Sequence, residues 1–231
     1  MCVIIDCRTS IEEINNLKKL GFKPLMCPKS DLLYEAVSGH PDMLLKIVNN
    51  NTILVHKDMP LSFINKLRNL GYKIFLSKNN LNSKYPNDII LNSVNLDDIF
   101  IHNIKYTDPV LLNFMKRKRK INVNQGYTKC STAIVSNKAI ITSDLSIANA
   151  VKIENIDTLL VPPGDILLPG LDYGFIGGCC GLIDSHTMAF YGNLKYYKYG
   201  KEVLEFLNKY SVNPVFLRND RLIDRGSILK L

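Results

Sequence analysis

Six cysteines, four histidines and a scatter of aspartates carry whatever covalent chemistry this chain can perform. His40-Pro41-Asp42 sets an imidazole two residues from a carboxylate, Cys130 stands in Lys129-Cys130-Ser131, and Cys179-Cys180 follows the pair Gly177-Gly178. A thiolate is an effective nucleophile, and a histidine beside it both lowers the thiol pKa and shuttles the proton. Asp42, or Asp88 after Asn87, can grip a cationic substrate through paired, charge-assisted hydrogen bonds. Each of these groups also has a plainer role. Most free cysteines are small buried apolar residues, a histidine before proline can be a satisfied loop residue, and cysteines beside glycines fit tight backbone packing. No ligand pair has zinc-like spacing, so neither a metal nor another cofactor is expected.

Composition narrows the classes. At 231 residues, with 46% hydrophobic and 22% charged residues, the chain can bury a sizeable core and is not of the disordered type. No apolar run approaches the roughly 18 residues of a membrane span, and the N-terminus lacks a basic region followed by an apolar one. A cytoplasmic protein with no membrane partner is the expectation. The cysteines form no CxxC pair and read as reduced thiols. A net charge of +8 permits an anionic partner without requiring one. The sharpest basic run, Lys116-Arg117-Lys118-Arg119-Lys120, contains no aromatic residue to stack on bases. It fits a solvated helix C-terminus better than a nucleic-acid contact.

The elements that must position these residues recur in one order. Residues 129–144 read as a strand, a Ser136-Asn137 turn and a second strand, with Ser143 and Asp144 as helix caps. A helix follows, then the strand Thr158-Leu159-Leu160-Val161. Earlier, Ser10 and Glu13 form a capping box before Ile11, Ile14, Leu17 and Leu20, and Gly21-Phe22-Lys23 opens the next strand. Asp58 and Pro60, then Ile64, Leu67, Leu70 and Gly71-Tyr72-Lys73, repeat that block about fifty residues on. Asp88 to Leu91 with Ile99 to Ile101, and Phe175 to Asp184 with Thr187 to Tyr191, supply further strand pairs. The last strand, residues 228–231, has no hairpin partner behind it, and the first unit lacks an opening strand. Pairing them gives units of 226–231 plus 1–29, 40–78, 85–124, 127–163 and 174–219 in a single domain. Five such units close into a ring without exposed edges. The start of each unit's first strand then points at the axis: His40 and Asp42, Asn87 and Asp88, Cys130 and Ser131, Cys179 and Cys180, Asp224 and Arg225.

A five-bladed α/β propeller of strand-strand-helix-strand units with pseudo-fivefold symmetry, closed by its N- and C-terminal strands, resembles the pentein fold of guanidino-group-modifying enzymes. His40-Pro41-Asp42 is similar to the superfamily's His-x-Asp element, and Gly177-Gly178 to its Gly-Gly turns, although cysteine replaces the usual acidic residue there. The customary C-terminal Gly-Gly-x-x-His-Cys element is absent. Gln125-Gly126-Tyr127-x-x-Cys130-Ser131 and Gly174-Phe175-Ile176-Gly177-Gly178 resemble motifs of a largely clostridial branch of that fold. The superfamily holds deiminases, dimethylarginine hydrolases, amidinotransferases and a non-catalytic ribosome anti-association factor. The resemblance implies a cysteine hydrolase or transferase for a guanidino or amidino compound. Cys130 would be the nucleophile, His40 the acid and base, and Asp42 the orienting carboxylate. Asn87, Asp88, Gly178, Cys179 and Asp224 would line the substrate channel. The alternative it leaves open is a binding module that keeps the ring without the chemistry, serving a small cation or the ribosome.

Overall fold

In the computed structural model, which describes residues 1–231, alternating strands and helices resolve into five sheets of three strands each. The first unit is β1 (Cys2–Asp6), α1 (Ile11–Lys19) and β2 (Lys23–Cys27). A one-turn helix, α2 (Pro41–Leu44), leads into the second: β3 (Leu45–Asn49), β4 (Thr52–Val55), α3 (Leu61–Asn69) and β5 (Lys73–Leu76). The third is β6 (Val94–Asn95), β7 (Ile99–His102), α4 (Pro109–Phe114) and β8 (Arg119–Asn122). The fourth is β9 (Thr132–Ser136), β10 (Ala139–Thr142), α5 (Leu145–Lys152) and β11 (Asp157–Leu160). The fifth is β12 (Cys180–Leu182), β13 (Thr187–Phe190), α6 (Gly200–Lys209) and β14 (Asn213–Phe216). Last comes β15 (Leu229–Lys230), which pairs antiparallel with β1, Val3 opposite Lys230 and Ile4 opposite Leu229. It thereby supplies the opening strand that the first unit lacks. Every sheet is antiparallel between its first two strands and parallel between its second and third.

Local chemistry explains the helix starts. Ser10 accepts from the Glu13 amide, and the Glu13 carboxylate accepts from the Ser10 amide at 2.9 Å. That box satisfies two donors the first turn leaves free. Asp108 caps α4 through Val110 N, and Asp144 caps α5 through Ile147 N. In α3 the cap position falls on Pro60, which makes no side-chain bond, and Asp58 lies outside the helix. Gly21 and Gly71 stop α1 and α3 with φ of 84° and 92°, a backbone only glycine adopts without strain. The buried stripe is narrower than its sequence period: Leu17 and Leu67 are fully covered, while Ile11, Leu20 and Leu70 remain exposed.

Buried apolar side chains form four clusters, each spanning neighbouring units. Ile4, Phe63 and Phe100 join the first three units, and Ile101 with Ile147 the third and fourth. Val135 with Phe190 joins the fourth and fifth, and Leu17 with Tyr191 the first and fifth. No unit keeps a core of its own, so each depends on the next for burial.

Two expectations change. Residues 43–44, 88–91, 129–131 and 175–179 are not strand but turns or, for 43–44, the end of α2. Their backbone bonds are local, as in Met43 N to His40 O, Asn92 N to Ile89 O, Thr132 N to Lys129 O and Gly178 N to Phe175 O. These apolar runs are buried all round, and burial alone does not distinguish a strand from a packed turn. The basic run is also not purely a solvated helix end. Its last two residues open β8, Arg119 pairs with Glu154 at 2.8 Å, and the Lys118 ammonium donates to Leu96 O. The Arg119–Glu154 pair joins the third unit to the fourth, the Lys118 bond lies within the third, and neither supports a nucleic-acid role. No helix is long and apolar enough to cross a membrane.

Closure by β15 sets the first prediction. Deleting residues 228–231 removes the partner of β1 and the buried Ile228. It is expected to destabilise the protein by at least about 3 kcal/mol, read as a lower urea midpoint. An unchanged midpoint would show that the ring does not depend on closure.

Candidate active site

The turns preceding the five first strands meet at the axis, and glycines let them approach. His40 stands at the N-cap position of α2, makes no side-chain capping bond and is only 1% exposed. A side chain on Gly226, whose φ is 67°, would fall 2.2 Å from its Cβ. The imidazole lies between two carboxylates, Nε2 3.9 Å from Asp6 and Nδ1 3.7 Å from Asp224. Neither ring nitrogen has a hydrogen-bond partner.

The two flanking carboxylates differ. Burial works to raise the Asp6 pKa, but three bonds from the Arg8 guanidinium at 2.6 to 3.2 Å outweigh it and hold the carboxyl below its usual range. Arg8 is fixed in turn by the carbonyls of Glu35 and Ala36. Asp224 accepts only from the amides of Phe175 and Gly226 at 2.9 and 3.0 Å. Burial pushes its carboxyl up, with His40 partly opposing. Gly178 makes room for it, since a Cβ there would fall 2.0 Å from Asp224 Oδ1.

Cys130 is 3% exposed, with Sγ 3.3 Å from Asp42 Oδ1 and 3.0 Å from Asn92 Nδ2. Asn92 also receives the amides of Lys129 and Cys130 at 2.8 and 3.2 Å, so one side chain fixes the backbone and the sulfur of Cys130. Burial first, then the charges of Asp42 and Asp224, lift the thiol pKa well above 9.0. The other oxygen of Asp42 accepts from Ser227 Oγ at 2.6 Å, and the buried Lys129 ammonium lies 2.8 Å from that hydroxyl. One donor atom each from His40, Asp42 and Cys130 lies within 4.8 Å of the others, close enough to share an ion. Sequence spacing paired His40 with Asp42 but could not place Cys130 beside them, because it lies in a separate unit.

His40, Cys130 and Asp224 line one cavity of about 330 Å³, together with Tyr127, Tyr173 and Phe175. Tyr127 stacks on Phe175 at 6.2 Å and donates to Asp88 at 2.5 Å. Asp88 therefore acts behind Tyr127, and burial raises its pKa. Asn87 is exposed and lines neither this cavity nor the second one described below. Cys179 is fully buried, donates to Ile176 O at 3.1 Å and likewise lines neither. Arg225 turns away toward Glu13, 3.5 Å off. Asp6, Arg8, Asn92, Lys129 and Ser227 escaped sequence reasoning. Tyr127 and Phe175 carried a signal, since both lie inside the two aromatic-glycine motifs noted above.

Solved structures share this architecture. An amidinotransferase of the saxitoxin biosynthetic pathway from Microseira wollei matches with a TM-score of 0.56 at 10% identity, covering 94% of this chain and 88% of that one. DDAH from Pseudomonas aeruginosa, a cysteine-to-serine variant complexed with citrulline, matches with 0.55 at 7% identity, covering 94% and 92%. The C. jejuni agmatine deiminase matches with 0.51 at 12% identity, covering 94% and 74%. No curated protein matches the chain by sequence. Five three-stranded units around a common axis, an architecture shared with these structures, define a pentein-fold protein. Within that fold the chain belongs to the DUF6873 family, a family of unknown function whose model spans residues 4–229.

The glycine contact at Asp224 can be tested by a double-mutant cycle. Gly178→Ala is expected to cost about 1–3 kcal/mol in thermal or urea unfolding, because the added methyl displaces the buried carboxylate from the Phe175 and Gly226 amides. Asp224→Ala removes the obstacle, so adding Gly178→Ala to it should cost almost nothing further. Additive losses would mean the two groups do not interfere.

Proposed function

We propose that the protein acts on a small cationic guanidino or amidino compound, as a cysteine-dependent hydrolase or transferase. The observation that carries this reading is the meeting of Cys130, His40 and Asp224 on one cavity wall, with Asp42 against the sulfur. Tyr127, Tyr173 and Phe175 offer π faces to a delocalised cation, and Asp224 gives it a buried carboxylate. Likeness in fold to amidinotransferases, DDAH and agmatine deiminase supports the same substrate class.

The electrostatics suggest an order of events. Without substrate, Cys130 is a thiol, held so by burial and by Asp42 and Asp224. A cation arriving beside those carboxylates offsets their field, and the thiol pKa falls. Sγ then attacks the amidine carbon, forming a C–S bond as the C=N π pair moves to nitrogen. His40 takes the thiol proton and delivers it to the departing amine, which leaves with the electrons of its C–N bond. The thiouronium-like adduct is released by water in a hydrolase, or by an acceptor amine in a transferase. Both nitrogens of His40 are free of protein partners and so available to the substrate. Asp6 and Asp224, rather than Asp42, flank that ring.

One observation favours the second reading, a non-catalytic cation-binding module. The sulfur is already engaged by Asn92 and Asp42, and no hydrogen bond joins it to His40. Alkylation separates the two readings. A cationic chloroacetamidine is expected to label Cys130 faster at neutral pH than it labels the other five cysteines or free glutathione, and His40→Ala should slow it. Neutral iodoacetamide should react slowly there, with a rate still climbing above pH 9.0, because the resting thiol titrates well above that value. Preferential labelling of Cys179 or Cys180 would move the nucleophile to the fifth unit. Reaction no faster than glutathione would leave the binding module.

A further inference from the structure

The first strands of all five units enclose a second cavity, of about 320 Å³, that shares no lining residue with the aromatic one. Asp42 and Lys129 border it, whereas Cys130, the next residue along the chain, faces the other cavity. Three lysines, Lys46, Lys129 and Lys230, line this space against the single carboxylate of Asp42. None of the three forms a salt bridge. The Lys46 ammonium donates to a neutral carbonyl, Ser93 O. The Lys129 ammonium is held by the Thr132 and Gly177 carbonyls and the Ser227 hydroxyl. Asp42 itself is already taken by Ser227 and Cys130. Lys46 and Lys129 are drawn inward without a salt-bridge partner while Lys230 stands at the exposed rim, a costly arrangement that an anion entering the cavity relieves.

We propose that this second cavity binds a small oxyanion carried on a short apolar body, such as an alkyl sulfate, phosphate or carboxylate. The charge of the lining selects the head group. The body is selected by the walls, where Ile47, Ile134, Leu182 and Ile228 form the apolar surface. The site is independent of the aromatic cavity, and it stands whether or not Cys130 is a nucleophile.

Protonation of Lys46 supports the assignment. Burial, then the neighbouring Lys129 charge, lowers its pKa to about 7, with Asp42 opposing and Lys118 reinforcing. Lys230 and the Cys180 thiol line the same space. Below about pH 7 Lys46 is charged and attracts an anion; above it the ammonium loses its proton and the attraction weakens. Affinity for an anion of fixed charge must therefore fall as pH rises through 7.

The experiment is calorimetric titration of the full chain with sulfate and with butyl sulfate, both of constant charge between pH 6 and 8.5, at constant chloride. One saturable site is expected, with butyl sulfate tighter than sulfate. Binding should weaken about tenfold from pH 6 to 8.5, the change expected when the bound anion raises the Lys46 pKa by about one unit. Lys46→Met at pH 6 should bind as weakly as the unaltered chain at pH 8.5. Lys230→Gln, at an exposed position, should weaken binding without altering thermal unfolding. Absence of a saturable site, affinity that is flat or rises with pH, or variants that bind like the unaltered chain would overturn the assignment.

Discussion

One buried polar network ties the five units together at the axis. Ser227, from the segment that completes the first unit, lies 2.6 Å from Asp42 of the second and 2.8 Å from Lys129 of the fourth. Lys129 reaches Gly177 of the fifth, and Asn92 of the third binds the backbone and sulfur of Cys130. In a low-dielectric interior such bonds are stronger than in water, but each group left without a partner is correspondingly expensive. The network is therefore all or nothing. The peripheral clusters supply the area that drives folding, and these few bonds decide how the five turns face one another.

The electrostatic character of the aromatic cavity follows from what that network leaves out. Asp42 is satisfied by Ser227 and Cys130, and Asp6 by Arg8. Asp224 has only two backbone amides, and His40 has nothing. His40 is the one buried side chain with two unpartnered polar atoms, whereas the others, such as Glu13 Oε1 and Asp88 Oδ1, are scattered one to a side chain. The remaining buried histidines make the contrast. His102 bonds Thr107 at 2.6 Å, and burial lowers the pKa values of His102 and His56 to about 3 and 4. Both are structural.

Much of the ring was legible in the sequence because its signals are local. Capping by Ser10, Asp108 and Asp144, the Gly21 and Gly71 stops, and the unpartnered last strand each follow from a few neighbouring residues. The axis was less legible. Its apolar runs resemble strands, yet residues such as 88–91 and 129–131 coil into turns because their neighbours in other units cover every side. Which side chains meet there depends on contacts between positions as distant as Asp42 and Ser227, for which one sequence carries no pattern. Residue type, position at the axis of the ring and the resemblance together marked Cys130, His40, Asp42 and Asp224 as candidates. Asn92 and Ser227 looked like ordinary turn residues, and only packing gives them their contacts.

The glycine-lined axis also limits how alike the five repeats can be. Gly21-Phe22-Lys23 and Gly71-Tyr72-Lys73 remain near copies at the periphery, where each repeat faces the same surroundings. At the axis the equivalent turns present His40 with Asp42, Asp88, Cys130, Cys179 and Asp224, flanked by glycines wherever two of them press together. Five copies of any one of these side chains would crowd or repel at a single point. A symmetrised consensus protein built by averaging the repeats could keep the helices, stops and outer strands, but it would have to give up the centre. Asymmetry at the hub is thus a condition of closing this ring, and the same asymmetry makes the two ends of its channel chemically different.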